Sequence, residues 1–123
     1  MKRLGLFILC GLAILSGPVQ AAQPIEMHTR TSGELADLCG AQLGSAAADA
    51  KINFCHGFAQ GAIAMRLRGA TDKKPFCFPN PMPSRTTTMT EFAAWVKGVP
   101  TNRDIPALDG LFRFLGERYP CKS

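Results

Sequence analysis

Residues 47–68, AADAKINFCHGFAQGAIAMRLR, decide the fold. At 100° per residue, Ile52, Phe54, Cys55, Phe58, Ala59, Ala62, Ile63, Met65 and Leu67 cover rather more than half of the circumference, with no proline to interrupt them. This is a long helix, and a face so wide predicts that it is central and packed on several sides. The remaining strip carries Asn53, Gly57, Gln60, Gly61, Ala64 and Arg68. Two glycines in mid-helix cost about 1 kcal/mol each relative to alanine. Close approach of another backbone, from this chain or a partner subunit, would offset that cost; a well-buried helix would simply tolerate it.

Working outward from this helix, helical periods recur on both sides. Upstream, Thr31 and Glu34 have capping-box spacing, and Leu35, Leu38, Cys39, Gln42 and Leu43 then follow at steps of three and four. Gly44 and Ser45 break this first helix, and Asp49 suits the positive end of the next. Downstream, residues 69–88 contain Pro75, Pro79, Pro81 and Pro83 without an apolar period and are expected to be a loop. A loop of that length in a small domain is either functional or tied down. Phe76 and Phe78 flank Cys77, so one of them is expected on the core. Thr88 and Glu91 repeat the capping-box spacing ahead of Phe92, Trp95, Val96 and Val99, and Pro100 stops this third helix. A last helix is expected from about Asp104, with Pro106 in its first turn and Leu108, Leu111, Phe112, Leu115 and Tyr119 on its buried face. Asp109 and Arg113 have ion-pair spacing on it. The fold class is all-α: a small disulfide-stapled bundle of four helices.

The chain has 123 residues, room for one domain. Lys2 and Arg3 precede an uncharged apolar run from Leu4 to Leu15, then Ser16, Gly17 and Pro18, with small residues at Val19 and Ala21. This is the grammar of a secretory signal peptide over residues 1–21. Its apolar core falls well short of the ~20 residues that span a bilayer. A single helical domain is expected over residues 22–123, with residues 22–30 as a flexible entry. Cys10 leaves with the leader, and Cys39, Cys55, Cys77 and Cys121 remain. In an exported domain an even count reads as a disulfide framework. Three connectivities are possible. Cys39 with Cys55 is favoured, because a short connection makes the first two helices antiparallel, and Cys77 with Cys121 would then pin the long loop to the chain end.

Composition excludes several functions. Without Lys2 and Arg3, 12 cations face 9 anions, and no cluster of Lys and Arg interleaved with aromatics appears, so no nucleic-acid partner is expected. No cysteine spacing suits a zinc knuckle or redox pair; no metal and no cofactor are expected. Cys55 and His56 point about 100° apart on a helix and cannot share a proton, so no catalytic residue is assigned. What remains is a rigid exported scaffold that binds protein. Lys73, Lys74, Phe76 and Arg85, charge beside aromatic side chains on a tethered loop, are the expected partner-binding surface, and Gly57 and Gly61 the expected site of close helix packing.

The pattern resembles the type VI secretion amidase immunity proteins, the Tai-like or resistance-associated immunity domain, from about Gly33 to Cys121. The likeness is carried by Cys39, the run Phe54-Cys55-His56-Gly57-Phe58 with Gly61 beyond it, Cys77-Phe78-Pro79, and Tyr119-Pro120-Cys121. The Pro-rich stretch from Asn80 to Pro83 departs from that pattern. The resemblance implies a periplasmic, helical, disulfide-stapled and often homodimeric protein. It would bind and block a peptidoglycan amidase effector without chemistry of its own. Only scaffold positions carry over: Cys39, Cys55, Gly57, Gly61, Cys77, Pro79, Pro120 and Cys121. A small helical envelope stress protein or periplasmic chaperone is the alternative.

Overall fold

A computed structural model describes Gly17, Ala21 and residues 23–122. Apart from Gly17 and Ala21, the leader read over residues 1–21, Cys10 included, lies outside the described residues. Among these the chain forms four α-helices: α1, Ser32–Cys39; α2, Ala46–Arg68; α3, Arg85–Gly98; and α4, Ala107–Arg118. A 3-10 helix, Pro100–Asp104, links α3 to α4. No helix among the described residues is long and apolar enough to cross a membrane.

The first helix is held at its start by the capping box read from sequence. Thr31 Oγ1 accepts from the Glu34 N–H at 3.2 Å, and the Glu34 carboxylate accepts from the N–H groups of Thr31 and Arg30. An antiparallel bridge then lays this start beside that of α4: the Ser32 N–H donates to Ile105 O at 2.7 Å and the Ala107 N–H to Arg30 O at 3.0 Å. The helix ends at Cys39: the Gly40 N–H closes the last helical bond to Ala36 O, the Ala41 N–H reaches Leu38 O instead at 3.5 Å, and the helix does not continue to Leu43, which is 77% exposed. Ser32, Gly33, Leu35, Ala36, Leu38 and Cys39 are all buried. This short helix, and not α2, occupies the centre of the bundle.

α2 has the expected bounds, capped by Ser45 Oγ on the Ala48 N–H, but it lies against the outside. Only Cys55 and Ala59 are buried on it, while Phe54 is 38% and Met65 68% exposed. Periodicity identifies the apolar side of a helix; it does not say whether anything covers it. The core is closed instead by α3 and α4, through Met89, Phe92 and Val96 on one side and Leu111, Phe114 and Leu115 on the other. Phe92 meets Phe114 edge-on with ring centres 5.7 Å apart.

Two other boundaries differ from the sequence reading. α3 begins at Arg85 under Ser84, whose Oγ accepts from the Thr87 N–H at 3.0 Å. Thr88 is therefore a buried residue of the first turns, and its hydroxyl donates to Ser84 O. Glu91, freed from capping, takes both prongs of Arg118 at 2.8 and 3.2 Å. α4 begins after Pro106, a few residues late, and its buried face rotates accordingly. Leu108 becomes 45% exposed and Phe112 half-buried, Phe114 moves into the core, and Arg113 pairs with Glu117 rather than Asp109.

Both disulfides form the favoured pairs, Cys39–Cys55 with Cα atoms 5.2 Å apart and Cys77–Cys121 at 4.8 Å. The first fastens α2 to the buried end of α1. The second fastens the loop to the residues after α4.

The close approach that the glycines of α2 were expected to provide occurs elsewhere. A Cβ at Gly57 or Gly61 would meet nothing within 4 Å. A Cβ at Gly110 would overlap Ser32 Oγ and lie 2.9 Å from Ser32 Cβ, so Gly110 is what lets α4 cross α1. Ser32 Oγ is fully buried there without a hydrogen-bond partner. An unpaired buried hydroxyl costs about 1–3 kcal/mol. Ser32→Ala is accordingly expected to leave stability unchanged or raise it by about 1 kcal/mol in urea unfolding; a loss of that size would mean the hydroxyl is satisfied.

Two arginine-paired carboxylates contribute to the acid limit. Hydrogen bonds from the Arg30 side chain and backbone hold Glu34 below its ordinary value of 4.5, and Arg118 does the same for Glu91. A folded-state pKa below the unfolded one stabilises the fold above the unfolded value, and that contribution is lost as pH falls through the folded one. The melting temperature is expected to drop between about pH 5 and pH 3. Glu34→Gln/Glu91→Gln should flatten this slope; an unaltered slope would assign the acid limit to other groups.

Candidate functional site

The loop after α2 is built from alternating directions. The Cys77 N–H donates to Tyr119 O at 2.8 Å, and with the disulfide to Cys121 this draws the segment onto the end of α4. Phe76 consequently points inward, stacked on Phe112 with ring centres 6.4 Å apart and only 1% exposed. Phe78 turns back over Tyr119 at 5.1 Å and stays half-buried. Phe76 is thus a core residue and not part of an exposed binding surface, which corrects the expectation drawn from its neighbours.

The other three residues of that expected surface are exposed but separated. Lys73 lines a polar hollow with Arg66 and Thr71 beside the end of α2. Lys74 adjoins it. Arg85 belongs to α3, and its guanidinium donates to Gln60 Oε1 of α2 at 2.7 Å. The structure does not bring the four together.

It forms instead a groove of about 410 Å³ between α2, the Pro-rich loop and the start of α3. Ile63 and Leu67 of α2 form one wall, Phe78 and Met82 of the loop another, and Met89 of α3 lies at the base. His56, Gln60 and Arg85 mark its rim, and no acidic side chain lines it. Met82, between Pro81 and Pro83, is 69% exposed at the mouth. Sequence reasoning missed this site. Its one available signal was the width of the apolar face on α2, which exceeds what the core uses.

On the far side of the Pro-rich loop, a cleft of about 730 Å³ with a largely apolar, proline-rich lining contains the Glu91–Arg118 pair, Tyr119 and Asn80. Among the described residues, no group of three or more His, Cys, Asp or Glu side chains is placed to hold a metal ion. Both thiols that could have served as nucleophiles near a groove, Cys55 and Cys77, are held in disulfides. These surfaces offer shape, apolar contact and positive charge, which is the equipment of a binding protein.

Compared with known families, residues 31–121 match the model of the Rap1a immunity proteins. The chain belongs to this family. The match runs from the cap of α1 to the second half of the Cys77–Cys121 bridge, so the Rap1a domain here contains all four helices, both disulfides and the groove. Compared with curated proteins and with solved structures, the chain matches none. Membership in an immunity-protein family supports an immunity role and a protein partner, the effector, for this Rap1a domain. Such proteins are generally not catalysts.

Proposed function

We propose that this chain is exported to the periplasm by its residue 1–21 leader, where it binds and blocks a peptidoglycan amidase delivered by a type VI secretion system. It does so by occlusion, with no chemistry of its own. The observation that carries the reading is the Rap1a match across the whole disulfide-linked domain. Two structural disulfides in so small a domain suit an oxidising compartment.

A second copy of the chain is the proposed occupant of the outward face of α2. Phe54 and Met65 stand exposed there, with Gly57 and Gly61 between them, leaving open space where another helix could approach. That face adjoins the groove and does not include it.

The test is protection in cells. A periplasm-directed type VI wall amidase, sought first in the adjacent reading frames, is expected to lyse its host, and the full chain to prevent lysis, whereas a form lacking residues 1–21 does not. Lysis undiminished by the full chain would overturn the immunity reading, and equal protection by the leaderless form would overturn the periplasmic one.

A further inference from the structure

We propose that the groove between α2 and the Pro-rich loop is the docking site for an effector segment that carries an apolar side chain next to a carboxylate. The apolar side chain enters between Ile63, Leu67 and Met82, and Arg85 binds the carboxylate. The proposal rests on the immunity reading for the source of that segment.

Charge is the first argument. Among the described residues, Arg30, Arg103, Arg113 and Arg118 each hold a carboxylate of this chain, whereas Arg66, Arg68 and Arg85 do not, and of these three only Arg85 lines the groove. Arg85 has only the neutral Gln60 amide, and no acid lines the groove beside it. Its remaining N–H groups form a cationic fork at the mouth of an apolar slot, complementary to an acid that the chain itself does not supply.

Shape is the second. At about 410 Å³ the groove falls in the size class of specific pockets. Its loop wall is fixed in advance, because Phe76 is anchored in the core and Cys77 is bridged to Cys121. Little ordering remains to be done when a segment enters. Met82 and Met89, unbranched and adaptable, let the slot accept side chains of different outline.

The test reads the methyl signals of Met82 and Met89 by NMR while short peptides are added. Acetyl-Gly-Asp-Phe-Gly-amide is expected to shift both signals saturably at millimolar concentration. The peptide with Lys for Asp is expected to bind about fivefold more weakly or worse, and the one with Ala for Phe to cause no saturable shift. Arg85→Gln should abolish the preference for Asp over Lys while the methyl shift persists. Absence of a saturable shift, or equal binding of the Asp and Lys peptides, overturns the proposal.

A second arm uses inhibition of the amidase. Arg85→Glu and Met82→Asp, both at exposed positions outside the core, are each expected to weaken inhibition about tenfold, against no change for Leu43→Gln. Full inhibition by both variants overturns the groove as docking site and leaves the immunity reading standing. Peptide binding with the expected preferences, together with a wild-type protein that inhibits no wall amidase, overturns the immunity reading and keeps the groove's chemistry.

Discussion

The Cys39→Ala/Cys55→Ala variant is expected to lose about 3 kcal/mol of stability and the Cys77→Ala/Cys121→Ala variant about 4 kcal/mol, since the bridges close 16 and 44 residues of chain. Domains of this size hold together by about 5–15 kcal/mol in total, so loss of both bridges should leave the chain largely unfolded. The two losses differ in character. Cys55 is fully enclosed, and removing its partner also opens space between α1 and α2, whereas Cys121 is exposed at the end of the chain. Mild reductant is therefore expected to free Cys77 and Cys121 first, as seen by alkylation and mass spectrometry, and only later to melt the helices in circular dichroism. Opening that bridge also releases one wall of the groove. Unchanged helicity and melting temperature with all four thiols free would refute this division of labour.

Gly110→Ala is expected to destabilise the fold by about 1–3 kcal/mol, although alanine is the better helix former by about 1 kcal/mol. The reason is steric. The new Cβ would overlap Ser32 Oγ and stand 2.9 Å from Ser32 Cβ, and the latter cannot retreat, because Ser32 is fully buried in the first turn of α1 and tied to Ile105 O through its own N–H. The melting temperature should fall by several degrees, about 4–8 °C per kcal/mol for a domain of this length. Ser32→Gly in the same chain is expected to restore much of the loss. Failure of that rescue would place the clash elsewhere, and an unchanged melting temperature for Gly110→Ala alone would mean that the helices part freely.

How much of this was legible in the residues differs by element. Ser45, Asp49 and Gly69 mark the ends of α2, and one short antiparallel turn favours the cysteine pairing found among the three that the sequence leaves open. The start of α3 was misplaced because two hydroxyl residues compete for it. Thr88 with Glu91 has the better sequence signature, but Ser84 follows Pro83 and reaches the Thr87 N–H, and Glu91 pairs with Arg118. The face of α4 rotated for a similar reason: Pro106 sits outside the helix, after a 3-10 turn that has no distinctive pattern of its own.

Which helix holds the centre was not legible. The apolar breadth of α2 looks the same whether another helix, a loop or solvent lies against it, so breadth alone points to the longest helix for the centre that the shorter α1 holds. Gly110 reads as an unremarked residue within ALDGLF, since close approach is a property of two helices and not of one. In the loop, sequence could say that one of Phe76 and Phe78 packs inward but not which. That choice depends on the Cys77 N–H bonding to Tyr119 O, and it decides that Phe76 supports the groove from behind while Phe78 lines it. The groove joins α2, loop and α3 across a long stretch of chain, and no local motif announces it.

On the proposed reading, this domain stops a wall-cleaving enzyme by binding it. The direct measurement is peptidoglycan cleavage by a purified wall amidase effector, sought first in the reading frames adjacent to this chain, followed as the oxidised protein is added. Cleavage should decline in proportion and cease near one protomer per enzyme, and it should return when both bridges are reduced. Cleavage that continues at full rate under a large excess of the oxidised protein would contradict the account.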